Sequence, residues 1–472
     1  MAADYDPGFT SLATEVEDID LPVTGDLPAW LAGTLFRNGP ARFEGGEVPF
    51  RHWFDGQAML HRFAIADGAV TYTNRFIDSS SKRATDAGRI GYIEFATDPC
   101  QRYFSRVFTR YRPSTRDMPN ANVNVASLAD GLVALTEVPL AVSFDPKTLA
   151  TAGIAPYRDS LFGQVTTAHP HQHPQTGDLV NYLLFFGRKS TYQVYRQSPT
   201  SMKRELVARI PVARPSYMHS FAVTGNYAVL AEFPFTVNSL KLLLSGKPFI
   251  DNYRWKAQGS TRFLVVDLRD GSVRKEFRSE PFFAFHHINA FEDEDTGKLV
   301  LDICAYRDAS VVDALRLDAL AEQVPGSFPY PTRYEIDLAA GTVSSRRLAD
   351  VTLELPRIHY GQHNGRPYRY AYGITGDSEG PVVARGLVKV DVDSGQSRQW
   401  SRPRSYPGEP VFVPAPGAVA EDEGVVLSVV LDADTGTSRL VVLDGQTFEE
   451  LASAAVPHAI PFGFHGLFQR GL

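Results

Sequence analysis

The chain is poor in cysteine, in net charge and in long apolar runs. Only two cysteines occur among its 472 residues, Cys100 and Cys304. A disulfide framework is therefore not expected, and a thiolate zinc site would lack ligands. No stretch reaches the ~18 apolar residues that a membrane-crossing helix needs. The opening MAADYDPGFTSLATEVEDID is acidic and has neither a basic n-region nor an apolar h-region. No signal peptide is expected, and a cytoplasmic protein is. Net charge is −7, so the basic surplus of a nucleic-acid binder is missing. No Pro/Gly/Ser linker or charge block divides the chain, which implies one domain over residues 1–472.

Hydrophobic residues, by contrast, make up 43% and aromatics 11% of the chain, enough for a large core. Short runs of Val, Tyr, Phe, Thr and Leu alternate with turn residues, which is strand patterning. One turn type recurs, as IADGAV (Ile65–Val70), LADGLV (Leu128–Val133), QTGDLV (Gln175–Val180), LRDGSV (Leu268–Val273), DTGKLV (Asp295–Val300), LAAGTV (Leu338–Val343), VDSGQS (Val392–Ser397) and ADTGTS (Ala433–Ser438). Each carries Gly where a tight hairpin needs positive φ. Helical patterning is confined to VVDALRLDALAEQ (Val311–Gln323) and LKLLLSG (Leu240–Gly246). Many short strands, few helices and no break point to an all-β closed architecture, best a β-propeller, in which radial repetition protects sheet edges. No WD-type signature allows the blades to be counted.

Twelve histidines occur, and four share a setting. His169 (VTTAHPHQHP), His219 (SYMHSFAVTG), His286 (FFAFHHINAF) and His465 (PFGFHGLF) each stand at the edge of an apolar or aromatic run. Their separations exclude a local metal finger. They fit strands converging on one axis, or else separate core histidines. Four neutral imidazoles would suit Fe, Cu, Zn or Ni. Octahedral Fe(II) held by four would keep two positions open. Glu137 (VALTEVPLAV), Glu354 (LELPRI) and Glu409 (YPGEPVFVP) are acids inside apolar runs. Each requires a donor partner if buried, and a ligating His ring offers its second N–H. His171, His173, His359 and His363 lie in polar, turn-like stretches, His52 and His61 flank WFDGQAML, His287 points away from His286 on a strand, and His458 precedes the last strand.

These blocks resemble the carotenoid cleavage oxygenase family. The resemblance runs in order through GTLFRNGPARFEGG, HWFDGQAMLHRF, EFATDPCQRYFSRVF, TTAHPHQHPQTGDLVNY, MHSFAVTGNY, FHHINAFED, ELPRI, YRYAYG, GEPVFVP, EDEGVVLSVVLDADTG and PFGFHG. It implies a seven-bladed propeller, capped by loops and short helices, with one Fe(II) on the axis. The ligands it implies are His169, His219, His286 and His465, with Glu137, Glu354 and Glu409 behind them. The implied reaction is cleavage of a conjugated C=C bond of a carotenoid or apocarotenoid by O2 into two carbonyl products, without nicotinamide, flavin or haem. An aromatic tunnel is expected, with Phe54, Tyr103, Phe233, Phe285, Tyr306 and Phe464 as candidates. Members that cleave stilbenes or phenylpropenes have a Lys before the first of the three glutamates, where this chain has Thr136. The chain thus looks nearer to the β-carotene oxygenase and retinoid isomerase branch, and isomerisation is the lesser alternative. FPFTVNSLKLLLSGKPF (Phe233–Phe249) joins leucines to Lys241 and Lys247, a pattern that suits peripheral contact with a membrane supplying lipophilic polyene. No protein or nucleic-acid partner is implied.

Overall fold

The computed structural model describes residues 3–90, 95–97, 117–129 and 131–471. Seven antiparallel sheets of four to six strands follow one another along the chain. We number them as blades by their inner strands. These are Gly466–Gln469 (blade 1), Asn124–Leu128 (blade 2), Val165–Thr166 with His171–Gln172 (blade 3), Ala222–Val223 (blade 4), His287–Glu292 (blade 5), Glu354–Arg357 (blade 6) and Ser405–Pro407 with Val411–Pro414 (blade 7). Inner strands of neighbouring sheets touch one another, so the sheets are arranged around a common centre. The architecture is a seven-bladed β-propeller.

Two exchanges of chain ends close it. Gly466–Gln469 pairs with Gly33–Arg42 and forms the inner edge of blade 1. Val23–Gly25 pairs with Glu450–Ala455 and forms the outer edge of blade 7. Each closure turns free strand edges into ladder hydrogen bonds.

Most inner and middle strands are buried on both faces, because each blade is covered by a neighbour on either side. Leu179–Phe185 and Tyr227–Glu232 are almost continuously buried and read as apolar runs rather than alternations. Separate hydrophobic clusters fill the gaps between blades. Phe36, Leu60 and Phe144 lie between blades 1 and 2. Leu353, Val388 and Ile288 lie between blades 5 and 6, and Leu387, Val426 and Leu443 between blades 6 and 7. Burial of each such side chain contributes about 1.5–3 kcal/mol.

The recurrent turns all join or lead into strands. In the hairpin between Gln57–Ala66 and Ala69–Phe76, Asp67 (φ 49°) and Gly68 (φ 76°) are both left-handed, as a two-residue turn matching the strand twist demands. The stretch expected as one helix, Val311–Gln323, is two, Ser310–Ala314 and Leu317–Ala321. Arg316 between them is extended and bridges to His52. The N–H of Leu317 donates to Arg51 O, and Leu315 O accepts from Trp53 N–H, so tertiary partners replace the helical ones. The second expected helix spans Ser239–Leu244, capped by Asn238. Segments 50–56, 95–97 and 250–253 pack with the Ser310–Ala321 region as a cap. Within it, burial raises the Asp55 carboxyl to about 6, against hydrogen bonds from Thr97 and Ala96. Among the described residues, no helix is long and apolar enough to cross a membrane.

Candidate metal centre

Each blade delivers one residue to the middle of the ring. His465 directly precedes the inner strand of blade 1, His219 comes shortly before that of blade 4, and His286 directly precedes that of blade 5. His169 lies in the turn that interrupts the inner strand of blade 3. Glu354 opens the inner strand of blade 6, and Glu409 lies in the break within that of blade 7. Glu137 follows Gly131–Leu135, the second strand of blade 2. His169 and Glu409 both stand before a proline, Pro170 and Pro410, which biases their backbones to the extended region.

One ring nitrogen from each of the four histidines lies within 4.8 Å of the others. His169 Nε2 is 3.0 Å from His219 Nε2, and His286 Nε2 is 3.1 Å from His465 Nε2. Behind three of the rings stand the three carboxylates. His219 Nδ1 lies 2.8 Å from Glu137 Oε1, His286 Nδ1 2.6 Å from Glu354 Oε2, and His465 Nδ1 2.7 Å from Glu409 Oε1. A carboxylate only accepts, so each Nδ1 carries the proton and each Nε2 presents a lone pair to the centre.

Further contacts support the carboxylates. Tyr217 donates to Glu137 Oε1 at 2.9 Å and Tyr306 to Glu354 Oε1 at 3.1 Å. Glu409 pairs with Arg37 and, at 2.9 Å, with Arg357. Leu355 sits at φ 47°, and this left-handed turn aims its N–H at Glu354 Oε2. A strand bulge between Glu354 and Arg357 accompanies it. Such backbone costs about 1–3 kcal/mol and persists where surrounding contacts over-determine it.

The electrostatics follow. Burial pushes the Glu354 carboxyl up, but the His286 ring, the Leu355 N–H and the Tyr306 hydroxyl prevail and hold it below its ordinary range. Burial also pushes Glu409 up, and the Arg357 and Arg37 guanidiniums with His465 hold it far below. Burial brings His465 down to about 3, and burial with the neighbouring rings keeps His169 well below its ordinary value. His169 and His465 are therefore neutral at working pH. As neutral rings with their Nδ1 protons on the carboxylates, His286 and His465 set two lone pairs 3.1 Å apart, and a cation between them resolves the repulsion. Nitrogens about 2.1 Å from a common ion lie about 3.0 Å apart at right angles and about 3.4 Å apart at tetrahedral angles. The separations of the His169–His219 and His286–His465 pairs match the right-angled spacing.

Of the tunnel candidates, four gather at this site. Phe285 is 5.7 Å from the His219 ring, Phe54 is 5.7 Å from Phe285, and Phe464 is 5.2 Å from Phe54. Trp53, not singled out in the sequence, joins them at 4.5 Å from Phe464. Phe233 does not join them. It packs in the core against Phe282 and Phe283 at 5.2 and 5.5 Å. Tyr306 packs edge-on at 5.9 Å from Phe285 and also turns its hydroxyl to Glu354. Tyr103 lies outside the described residues. His171, read as a turn residue, is on the inner strand of blade 3 with Nε2 on Phe221 O at 2.9 Å. His52 and His61 are buried and bonded to Val312 O and Tyr72. Sequence reasoning missed Tyr217, Arg37 and Arg357. Arg357 had a local signal, three residues after Glu354 in ELPRI.

Fold and site together define a β-propeller with a candidate four-histidine metal centre at the meeting point of its blades. Residues 9–470 match the retinal pigment epithelial membrane protein family, and the chain belongs to it. It is 36% identical to the carotenoid isomerooxygenase of Galleria mellonella, over 96% of this chain and 94% of that one. It is 32% identical to the beta,beta-carotene 15,15'-dioxygenase of Rattus norvegicus, over 96% and 89% of the two chains. Among solved structures, cobalt-substituted Synechocystis apocarotenoid oxygenase superposes with a TM-score of 0.87 at 30% identity, covering 99% of this chain and 98% of that one.

Proposed function

We propose that the protein is an iron(II)-dependent oxygenase that cleaves one conjugated double bond of a carotenoid or apocarotenoid. One alkene and one O2 give two carbonyl products, so atoms and electrons balance without a reductant. The observation that carries this reading is the convergence of four imidazoles, three of them backed by carboxylates, beside aromatic side chains. The names of the relatives, carotenoid isomerooxygenase and beta,beta-carotene dioxygenase, supply the substrate class.

His169, His219, His286 and His465 would hold the ion. Four imidazoles suit iron. A ferrous ion bound there supplies activation of dioxygen. The chain's own part is placement. Glu137, Glu354 and Glu409 hold the Nδ1 protons of three rings, which fixes ring direction and raises ligand basicity. Phe54, Phe285 and Phe464 offer flat apolar faces on which a polyene lies, setting one double bond beside the centre and excluding water. Thr136 stands where phenol-cleaving members carry a Lys, which favours the polyene over stilbene-type alkenes.

Lipophilic substrate would be drawn from a membrane surface. The Ser239–Leu244 helix exposes Leu240 at 65% and Leu244 at 52%, with Lys241 beside them. Leucines and a cation on one short helix suit an interfacial contact.

The test incubates purified protein under air with β-carotene, an apocarotenal, a stilbene and isoeugenol, followed by mass spectrometry and separation of geometric isomers. Aldehydes from a polyene, about one iron per chain, and loss of both iron and turnover in His219→Ala are expected. Carbonyl products from the phenolic alkenes alone would overturn the substrate class. Turnover retained in His219→Ala would overturn the centre.

A further inference from the structure

We infer that Asn124 is a positioning residue for the metal centre, setting His169 against His465 across the one blade between them. The inference rests on the four-histidine reading above.

Three of the four rings are steered by a carboxylate at Nδ1. Among the described residues none hydrogen-bonds to the His169 ring in this way, and His169 is the most exposed of the four. Its direction must then come through its main chain. Asn124 Nδ2 donates to Ala168 O at 2.8 Å, and Asn181 Nδ2 donates to Thr167 O at 3.0 Å. Thr167 Oγ1 accepts the His169 N–H at 3.1 Å and donates to His219 O. Pro170 narrows the backbone of His169 from the other side. The turn carrying the unsupported ring is thus gripped at successive peptides.

Blade 2 contributes no histidine yet lies between blades 1 and 3, which carry His465 and His169. Its inner segment holds both. Val123 O accepts the His465 N–H at 3.1 Å. One residue on, the Asn124 side chain reaches Ala168 in blade 3. Asn38 of blade 1 donates to Asn124 O at 3.1 Å, while its main-chain N–H donates to His465 O at 2.9 Å. The two histidines so bridged have the shortest ring separation of the four, 4.4 Å between centroids.

The orientation of the Asn124 carboxamide is determined by its neighbours. Oδ1 accepts the Val125 N–H at 2.8 Å, and the reverse orientation would set that oxygen against the Ala168 carbonyl. Aspartate has the same shape but no N–H, so it repels Ala168 O where asparagine holds it. Asn120 gives a built-in comparison. It lies in the same segment and uses its carboxamide fully, on Ala58 N–H and Gly56 O, but touches no peptide of a histidine-bearing turn.

The test loads the full chain with Co(II) and reads affinity by chelator competition, the visible d–d spectrum, and the melting temperature without metal. Asn124→Ala and Asn124→Asp are expected to weaken cobalt binding about tenfold and to shift the spectrum. Asn124→Ala and Asn120→Ala should lower the metal-free melting temperature alike, but Asn120→Ala should keep the parent affinity and spectrum. Asn181→Ala should move affinity in the same direction by less, and it carries the test if the Asn124 variants do not fold. Parent affinity and spectrum in the Asn124 variants, or equal losses in Asn120→Ala, would overturn the assignment. Failure of the unsubstituted protein to bind one cobalt would instead overturn the four-histidine reading beneath it.

Discussion

Substitution Glu354→Gln isolates the charge of one carboxylate without changing its shape. In the structure Glu354 receives the His286 Nδ1–H at 2.6 Å, the Tyr306 hydroxyl at 3.1 Å and the Leu355 N–H. A glutamine keeps one oxygen for His286 and Leu355 and turns its amide toward Tyr306, whose oxygen accepts. What is lost is the charge-assisted character of the bond to His286. Hydrogen bonds to charged groups contribute about 1.5–3 kcal/mol and neutral ones about 0.5–1.5 kcal/mol. The difference, about 1–2 kcal/mol, weakens metal binding about 5–30-fold, within the range for partners of ligating histidines. Chelator competition with Fe(II) or Co(II) measures it, and a melting curve of the metal-free protein should change little. Glu409→Gln is the contrast. It leaves Arg37 and Arg357 around a neutral amide in a site that is 1% exposed, and breaking such a buried pairing costs about 3–5 kcal/mol of folding stability. Its melting temperature should fall even without metal. Unchanged metal affinity in Glu354→Gln would refute the claim that this carboxylate tunes His286.

The remaining expectations concern pH and surface. Burial lowers His52, His61, His287 and His465 from 6.5 to about 3, so the unfolded chain takes up their protons first as pH falls. The stability these neutral rings contribute is complete above about pH 6.5 and drains away toward about pH 3. The metal-free melting temperature should therefore drop between about pH 7 and about pH 5, and a flat profile would refute this. The double variant Leu240→Asp/Leu244→Asp removes two half-exposed leucines, about 2–3 kcal/mol of interfacial burial, so the partition constant read by sedimentation with phospholipid vesicles should fall about 30–150-fold. Undiminished sedimentation would place the membrane contact elsewhere.

Much of the site was legible because its chemistry sits at strand edges. A histidine or glutamate opening an apolar run, as in MHSFAV, LELPRI and GEPVFVP, stands out against the apolar residues that follow it. The hairpins were legible for a similar reason, since a positive φ at Gly68 is a local demand. What stayed hidden depends on contacts between distant segments. Val311–Gln323 has uninterrupted helical patterning, yet the peptides of Arg51 and Trp53 hydrogen-bond into its middle and split it. Phe233 and Phe285 look alike along the chain, but one packs on Phe282 and the other on His219. Tyr217, Tyr306 and Arg37 find their carboxylates 80, 48 and 372 residues away.

Strand composition, turn positions and the identities of four imidazoles and three acids are properties of short windows, and reading the chain was enough for them. Which rings face one another at 3.0 Å, which carboxylate backs which ring, and which aromatics overlook them were settled when the two chain ends closed the circle of blades. The reason is geometric. Each blade contributes a single centre-facing residue, so no window contains two of the seven, and their distances exist only once all seven blades are packed.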